Sequence, residues 1–314
     1  MFSFRLSIFL RILLQNVEEQ DFCLKISVTH SILFFSINKG ENMRKTILLL
    51  LSAFITVSYA RDYKNISYYE KEAPQTGNIA YRDERCKLNL RIPDNKRNFP
   101  TLIWFHGGGL NKGNKHYPYG INVKKTAVAI VNYRLSGEKA ACPDYLYDAA
   151  AAAAWVLKNI EKYGGDPKHV YISGHSAGGY LTAMLALDKK YLSAFGVTPL
   201  QFAGFYPISG QMTTHFQIIA ERRKKEPAPR DFAVDEFAPL YHAAKNTPRM
   251  KFYVGDSLHD LPARVEENQL LVMRLIRVYG NKNVSICSIP GTNHETCTNP
   301  SLAMINNDLK IQNH

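Results

Sequence analysis

Short apolar runs and longer mixed stretches alternate along most of the chain. Residues 101–105, 128–131, 169–173, 202–206, 250–254 and 283–289 are brief and rich in Val, Ile, Phe and Tyr, which predicts strands. Between them lie segments with helical spacing. Leu146, Ala150, Ala153, Leu157 and Ile160 fall four and three apart, laying one stripe along a helix over 146–160. Leu271, Val272, Leu275 and Ile276 share one broad face over 264–278, and 180–187 reads as a buried helix. Cys86 to Ile92 alternates apolar and polar positions, which suits a strand in an antiparallel edge hairpin. Strands alternating with helices predict an α/β fold: a mostly parallel central sheet covered on both faces. About forty residues separate Tyr206 from Met250, more than a simple connection needs, so a small cap insertion is expected at about 211–245.

Two of the predicted strands run into small-residue clusters that carry chemistry. Gly174-His175-Ser176-Ala177-Gly178 follows the 169–173 strand and precedes a helix, the setting of a nucleophile elbow. A sharp turn there lifts a serine hydroxyl above the sheet, and small neighbours avoid clashes across the bend. His106-Gly107-Gly108-Gly109 ends the 101–105 strand, where glycines offer unobstructed backbone donors. Acyl transfer needs such donors because charge builds on the carbonyl oxygen in the transition state. Ser176 is therefore the expected nucleophile, and the N–H groups of Gly107, Gly108 and Ala177 are the expected oxyanion hole. His106 is expected to brace the glycine loop rather than move protons, and His175 to be structural.

Of the ten histidines, His294 combines a late position, a strand end and a neighbouring glycine turn, and is the expected base. The order nucleophile, acid, histidine leaves two candidates for the acid, both after the 250–254 strand. Asp256 stands nearer the strand end and is placed slightly ahead. Asp260 precedes Pro262-Ala263-Arg264, where it would serve as a helix cap, but it remains a contender for catalysis. The motifs predict a serine hydrolase that uses an acyl-enzyme and requires no cofactor. An amidase, formamidase or peptidase with the same triad is the enzymatic alternative, and a noncatalytic binding protein on the same scaffold is the alternative from another class.

With these motifs in place the sequence resembles an α/β-hydrolase of the esterase/lipase type with an HGGG loop. It is similar to bacterial secreted carboxylesterases near the hormone-sensitive-lipase and feruloyl-esterase-like groups. The resemblance spans nearly all of 65–300 and includes Val131-Asn132-Tyr133-Arg134-Leu135, the helix from Asp148 to Trp155, and Gly164-Gly165-Asp166-Pro167. It implies a short acyl ester as substrate, including acetyl or feruloyl esters of carbohydrates. One departure matters: many relatives carry the acid three residues after the strand-end glycine, and that position is Leu258 here.

Met43-Arg44-Lys45 followed by the apolar run 46–57 and the small residues Ser58 and Ala60 reads as a secretory signal peptide over 43–60. Residues 1–42 are then an upstream extension outside the mature protein, and 61–314 a single hydrolase domain exported to the periplasm or beyond. The apolar run is shorter than the roughly 20 residues that a membrane span needs, so no span is expected after cleavage. Net charge is +12 for the chain and about +10 over 61–314. Arg222-Arg223-Lys224-Lys225, near Pro227 and Pro229, reads as a solvated loop, and no nucleic-acid motif accompanies it. Cys86, Cys142, Cys287 and Cys297 allow three complete pairings in an oxidising compartment, one of them tethering the His294 loop, or remain as buried thiols. No close CxxC pair is present, so no zinc site is expected.

Overall fold

The computed structural model describes residues 22–28, 31–37, 60–70, 74, 76–94, 96–224 and 232–309. The chain divides into two compact units, Met1–Ser58 and Tyr59–His314. In the first, β1 (Phe22–Val28) and β2 (Ser31–Ile37) pair antiparallel, Phe22 opposite Ile37. The signal peptide expected over 43–60 lies, but for Ala60, outside the described residues.

The second unit carries β3 (Arg61–Ser67), α1 (Ile79–Arg85), β4 (Lys87–Ile92), β5 (Phe99–Phe105), β6 (Ala127–Val131), α2 (Asp144–Asn159), β7 (Gly165–His175), α3 (Ala177–Leu187) and α4 (Lys189–Ser193). It continues with β8 (Gly204–Ile208), α5 (Phe216–Arg223), β9 (Met250–Val254), α6 (Arg264–Met273), β10 (Val284–Ser288) and α7 (Thr298–Asp308). Eight strands form one sheet in the order β10-β9-β8-β7-β5-β6-β4-β3. From β10 to β6 every neighbouring pair is parallel, whereas β4 runs antiparallel to both β6 and β3. The alternating segment 86–92 is thus β4, antiparallel to the edge strand β3 as expected, but α1 lies in the connection between them, so the pair is not a hairpin.

Strand β5 shows why the sheet is two-sided. Ile103 and Phe105 pack into the larger core with α2 and α3, while Leu102 and Trp104 enter the smaller core with Leu302 and Ile305 of α7. Every residue of β5 and β6 is buried, which accounts for their largely apolar sequences. The alanine run of α2 is buried throughout, letting that helix lie close against its neighbours. Arg134, wholly buried after β6, donates from Nε and Nη2 to the equally buried Asp148 of α2 at 2.9 and 2.8 Å. That pair fastens the loop after β6 to α2.

One further expectation needs correction, and one left open is decided. Arg222 and Arg223 are not in a loop: they close the last turn of α5, where cations complement the carbonyl end of the helix, and Arg222 pairs with Asp235 at 2.6 Å. The four cysteines Cys86, Cys142, Cys287 and Cys297 are free thiols, so no disulfide among them tethers the His294 loop. No helix among the described residues is long and apolar enough to cross a membrane.

Candidate active site

Ser176 alone separates β7 from α3 and adopts φ 56°, ψ −115°, a strained conformation for a residue with a side chain. The flanking glycines are required by contact rather than by flexibility. A Cβ on Gly174 would come within 2.6 Å of the Gly178 and Phe105 carbonyl oxygens, and one on Gly178 would overlap Phe105 O. The elbow is thus pressed against the end of β5, the strand that delivers the other glycine motif.

Ser176 Oγ lies 2.8 Å from His294 Nε2. On its far side the imidazole Nδ1 is 2.9 Å from Asp260 Oδ1. A carboxylate only accepts, so Nδ1 carries the proton and Nε2 is left to accept from the serine hydroxyl. The Asp260 side chain is fully shielded from solvent. Burial alone would raise its pKa, but donors from His294, Ser209, Leu261 N and Gly255 N outweigh that penalty and hold the carboxyl at about 2. Asp260 thus stays ionised beside the imidazole at any pH near neutrality.

Of the two candidate aspartates, the structure thus sets Asp260, not Asp256, against the imidazole. Asp256 accepts from Leu258 N at 3.0 Å and Gly291 N at 3.1 Å, clipping two loops together away from His294 Nδ1. The chain turns directly after it, with His259 N and Asp260 N both donating to Asp256 O, and this turn brings Asp260 back to the end of β9. Proximity along the chain was the wrong measure because the loop folds onto its own start.

Sequence reasoning missed Ser209. It follows β8 with φ 44°, donates from Oγ to Asp260 Oδ2 at 2.8 Å, and lies 2.9 Å from His294 Nδ1, so its oxygen shares that N–H with the carboxylate. Its signal in sequence is only its place at the end of a parallel strand, where site residues gather.

Gly107 lies against Ser176: a Cβ added to it would stand 3.4 Å from Ser176 Cβ. Gly108 has φ 106°, and its carbonyl accepts from Asn111 N and Lys112 N, which curls the loop back. Ala177 opens α3, so its N–H has no acceptor inside the helix. These are the three groups expected to receive an oxyanion. His106 stacks on Tyr133, ring centroids 4.4 Å apart, and its Nδ1 is 2.7 Å from Gly107 O. Burial lowers its pKa to about 4, so it is a neutral brace beneath the loop.

The segment between β8 and β9 reaches this loop through α5. Phe216, half exposed, sets its ring against Gly109, and Gln217 Oε1 accepts from Asn111 Nδ2 at 2.8 Å. His215, wedged between Tyr180 and Phe216, is buried and neutral, its pKa pushed down to about 3. In this segment Phe216 stands exposed by the glycine loop, while Ile218 and Ile219 are buried.

A mostly parallel sheet with a serine at a strand-to-helix elbow defines an α/β-hydrolase, and solved structures share the fold. A truncated carbohydrate esterase from gut microbiota superposes with a TM-score of 0.60 at 19% identity, covering 81% of this chain and 96% of that one. The chain belongs to the BD-FAE family, whose model matches residues 88–250. Among curated proteins it is similar to para-nitrobenzyl esterase of Bacillus subtilis (strain 168), 37% identical over 144 residues, 40% of this chain and 28% of that one. It is similar also to gut esterase 1 of Caenorhabditis elegans, 32% identical over 145 residues, 40% of this chain and 26% of that one. The chain spans about a quarter of the length of these relatives.

Proposed function

We propose that the protein is a serine carboxylesterase that cleaves short acyl esters through an acyl-enzyme. The observation that carries this reading is the unbroken chain from Ser176 Oγ through the His294 imidazole to the Asp260 carboxylate, at 2.8 and 2.9 Å. His294 Nε2 takes the hydroxyl proton as Ser176 Oγ attacks the ester carbonyl. The N–H groups of Gly107, Gly108 and Ala177 receive the negative charge that moves onto the carbonyl oxygen. The intermediate collapses, the ester C–O bond breaks, and His294 returns the proton to the leaving alcohol. Water, deprotonated by the same nitrogen, then attacks the acyl-Ser176 ester and releases the acid. Asp260 holds the imidazole in the tautomer this requires and offsets its transient positive charge.

Acetyl or feruloyl esters of carbohydrates are the favoured substrates. The fold neighbour described as a carbohydrate esterase supports that class, as does the half-exposed Phe216 ring, a flat apolar surface beside the glycine loop. Export under the 43–60 leader, with 61–314 as the working domain, agrees with a substrate met outside the cytoplasm. Assays of acetylated and feruloylated glycans, aryl esters and formyl amides test the assignment. Ser176→Ala should lower kcat on p-nitrophenyl acetate by about a millionfold and abolish fluorophosphonate labelling. Turnover surviving in that variant would remove Ser176 as nucleophile.

A further inference from the structure

One contact between the elbow and the histidine loop takes no part in the proton path. His175 is buried directly before Ser176, and its Nε2 lies 2.7 Å from the main-chain oxygen of His294. A carbonyl oxygen only accepts, so His175 Nε2 must carry the hydrogen. Burial, reinforced by the neighbouring His294, lowers the His175 pKa to about 4, so the ring is neutral near pH 7. The two imidazoles are tilted at 45°, centroids 4.6 Å apart, and do not exchange a hydrogen bond ring to ring. Cys297 Sγ approaches the same carbonyl oxygen at 3.2 Å. On its other flank His175 faces the glycine loop: a Cβ on Gly107 would lie 3.5 Å from its Nδ1.

We propose that His175 is a positioning residue: its Nε2–H anchors the His294 backbone to the elbow and thereby fixes the separation of Ser176 Oγ and the His294 imidazole. The inference rests on the esterase reading, in which those two groups react. His294 sits on a loop, and the side-chain contacts of its imidazole are with groups that participate in or orient the reaction. The carbonyl anchor is different, because it ties the base's own backbone to the residue covalently next to the nucleophile. A change in strand packing then moves both partners together. An acidic or apolar residue at 175 would leave the carbonyl with only a weak thiol donor.

Two substitutions separate the hydrogen bond from the packing. His175→Phe keeps a ring in the same space without a donor, and His175→Gln supplies an amide N–H. On p-nitrophenyl acetate, His175→Phe should lower kcat about 10- to 100-fold with KM within about twofold, while His175→Gln recovers most of the loss. Full-rate turnover by His175→Phe, a loss confined to KM, or a His175→Gln no better than His175→Phe would overturn the proposal. The wild-type protein gives an independent reading. Nitrogen-resolved imidazole NMR at pH 7 should show a hydrogen on His175 Nε2, and a neutral Nδ1–H tautomer would overturn the anchor even if the variants failed to fold. A wild-type protein that hydrolysed no ester would instead sink the esterase reading, while the tautomer would still judge the hydrogen bond itself.

Discussion

Asp256 and Asp260 differ by four positions and by everything that surrounds their oxygens. Asp256 binds two backbone N–H groups at the protein surface, whereas Asp260 receives an imidazole, a hydroxyl and two backbone donors on a carboxylate shielded from solvent. Asp260→Asn should cost about four orders of magnitude in kcat, since the amide can favour the wrong imidazole tautomer. Asp256→Asn should stay within about tenfold of wild type, because an amide oxygen still accepts from Leu258 and Gly291. Equal, mild losses in the two variants would contradict the geometry. Ser176, His294 and the glycine loop were legible in the sequence because their motifs abut strand ends. The choice of acid was not, since it depends on how a five-residue turn closes, and Ser209 was invisible because nothing local distinguishes it from other serines.

At the level of elements, apolar runs located most strands well: the strand expected at 250–254 is β9 itself, and that at 283–289 contains β10. The run at 202–206 was misplaced by two residues, because Phe202 and Ala203 precede a strand that extends instead through Pro207 and Ile208. Helix α7 went unread, its burial confined to Ser301, Leu302 and Ile305, too few positions to make a visible stripe. The elbow shows how one element constrains another. Gly178→Ala would drive a methyl into the Phe105 carbonyl at the end of β5, a clash with backbone that no rotamer relieves. The variant should lose about 1–3 kcal/mol of stability, read as a lower denaturation midpoint, with turnover falling as the glycine loop is displaced. Unchanged stability would mean that the elbow stands farther from β5 than described.

At the scale of the whole molecule, three histidines buried among the described residues make stability depend on acidity. His106 and His175 are held at about 4 and His215 at about 3, all below their ordinary 6.5, because burial penalises the charged ring. Unfolding releases each to bind a proton near pH 6.5, so the unfolded state takes up more protons throughout that window. Their contribution is complete above pH 6.5 and is lost as the pH falls through about 4 toward 3. Tm from scanning calorimetry should therefore decline steadily from pH 6.5 to pH 4, and a flat Tm would show these rings to be more hydrated than the structure has them. The α/β layering was readable from alternation alone, but which histidines end up buried was not, because that depends on loops meeting from distant parts of the chain.

The Asp260 carboxylate has a second consequence. It is bonded at once to groups that follow β8, β9 and β10, through Ser209, Gly255 and His294. The same atoms that hold the His294 imidazole act as a seam across one margin of the sheet, so the geometry of the site and local cohesion there are a single property, and neither can drift without the other.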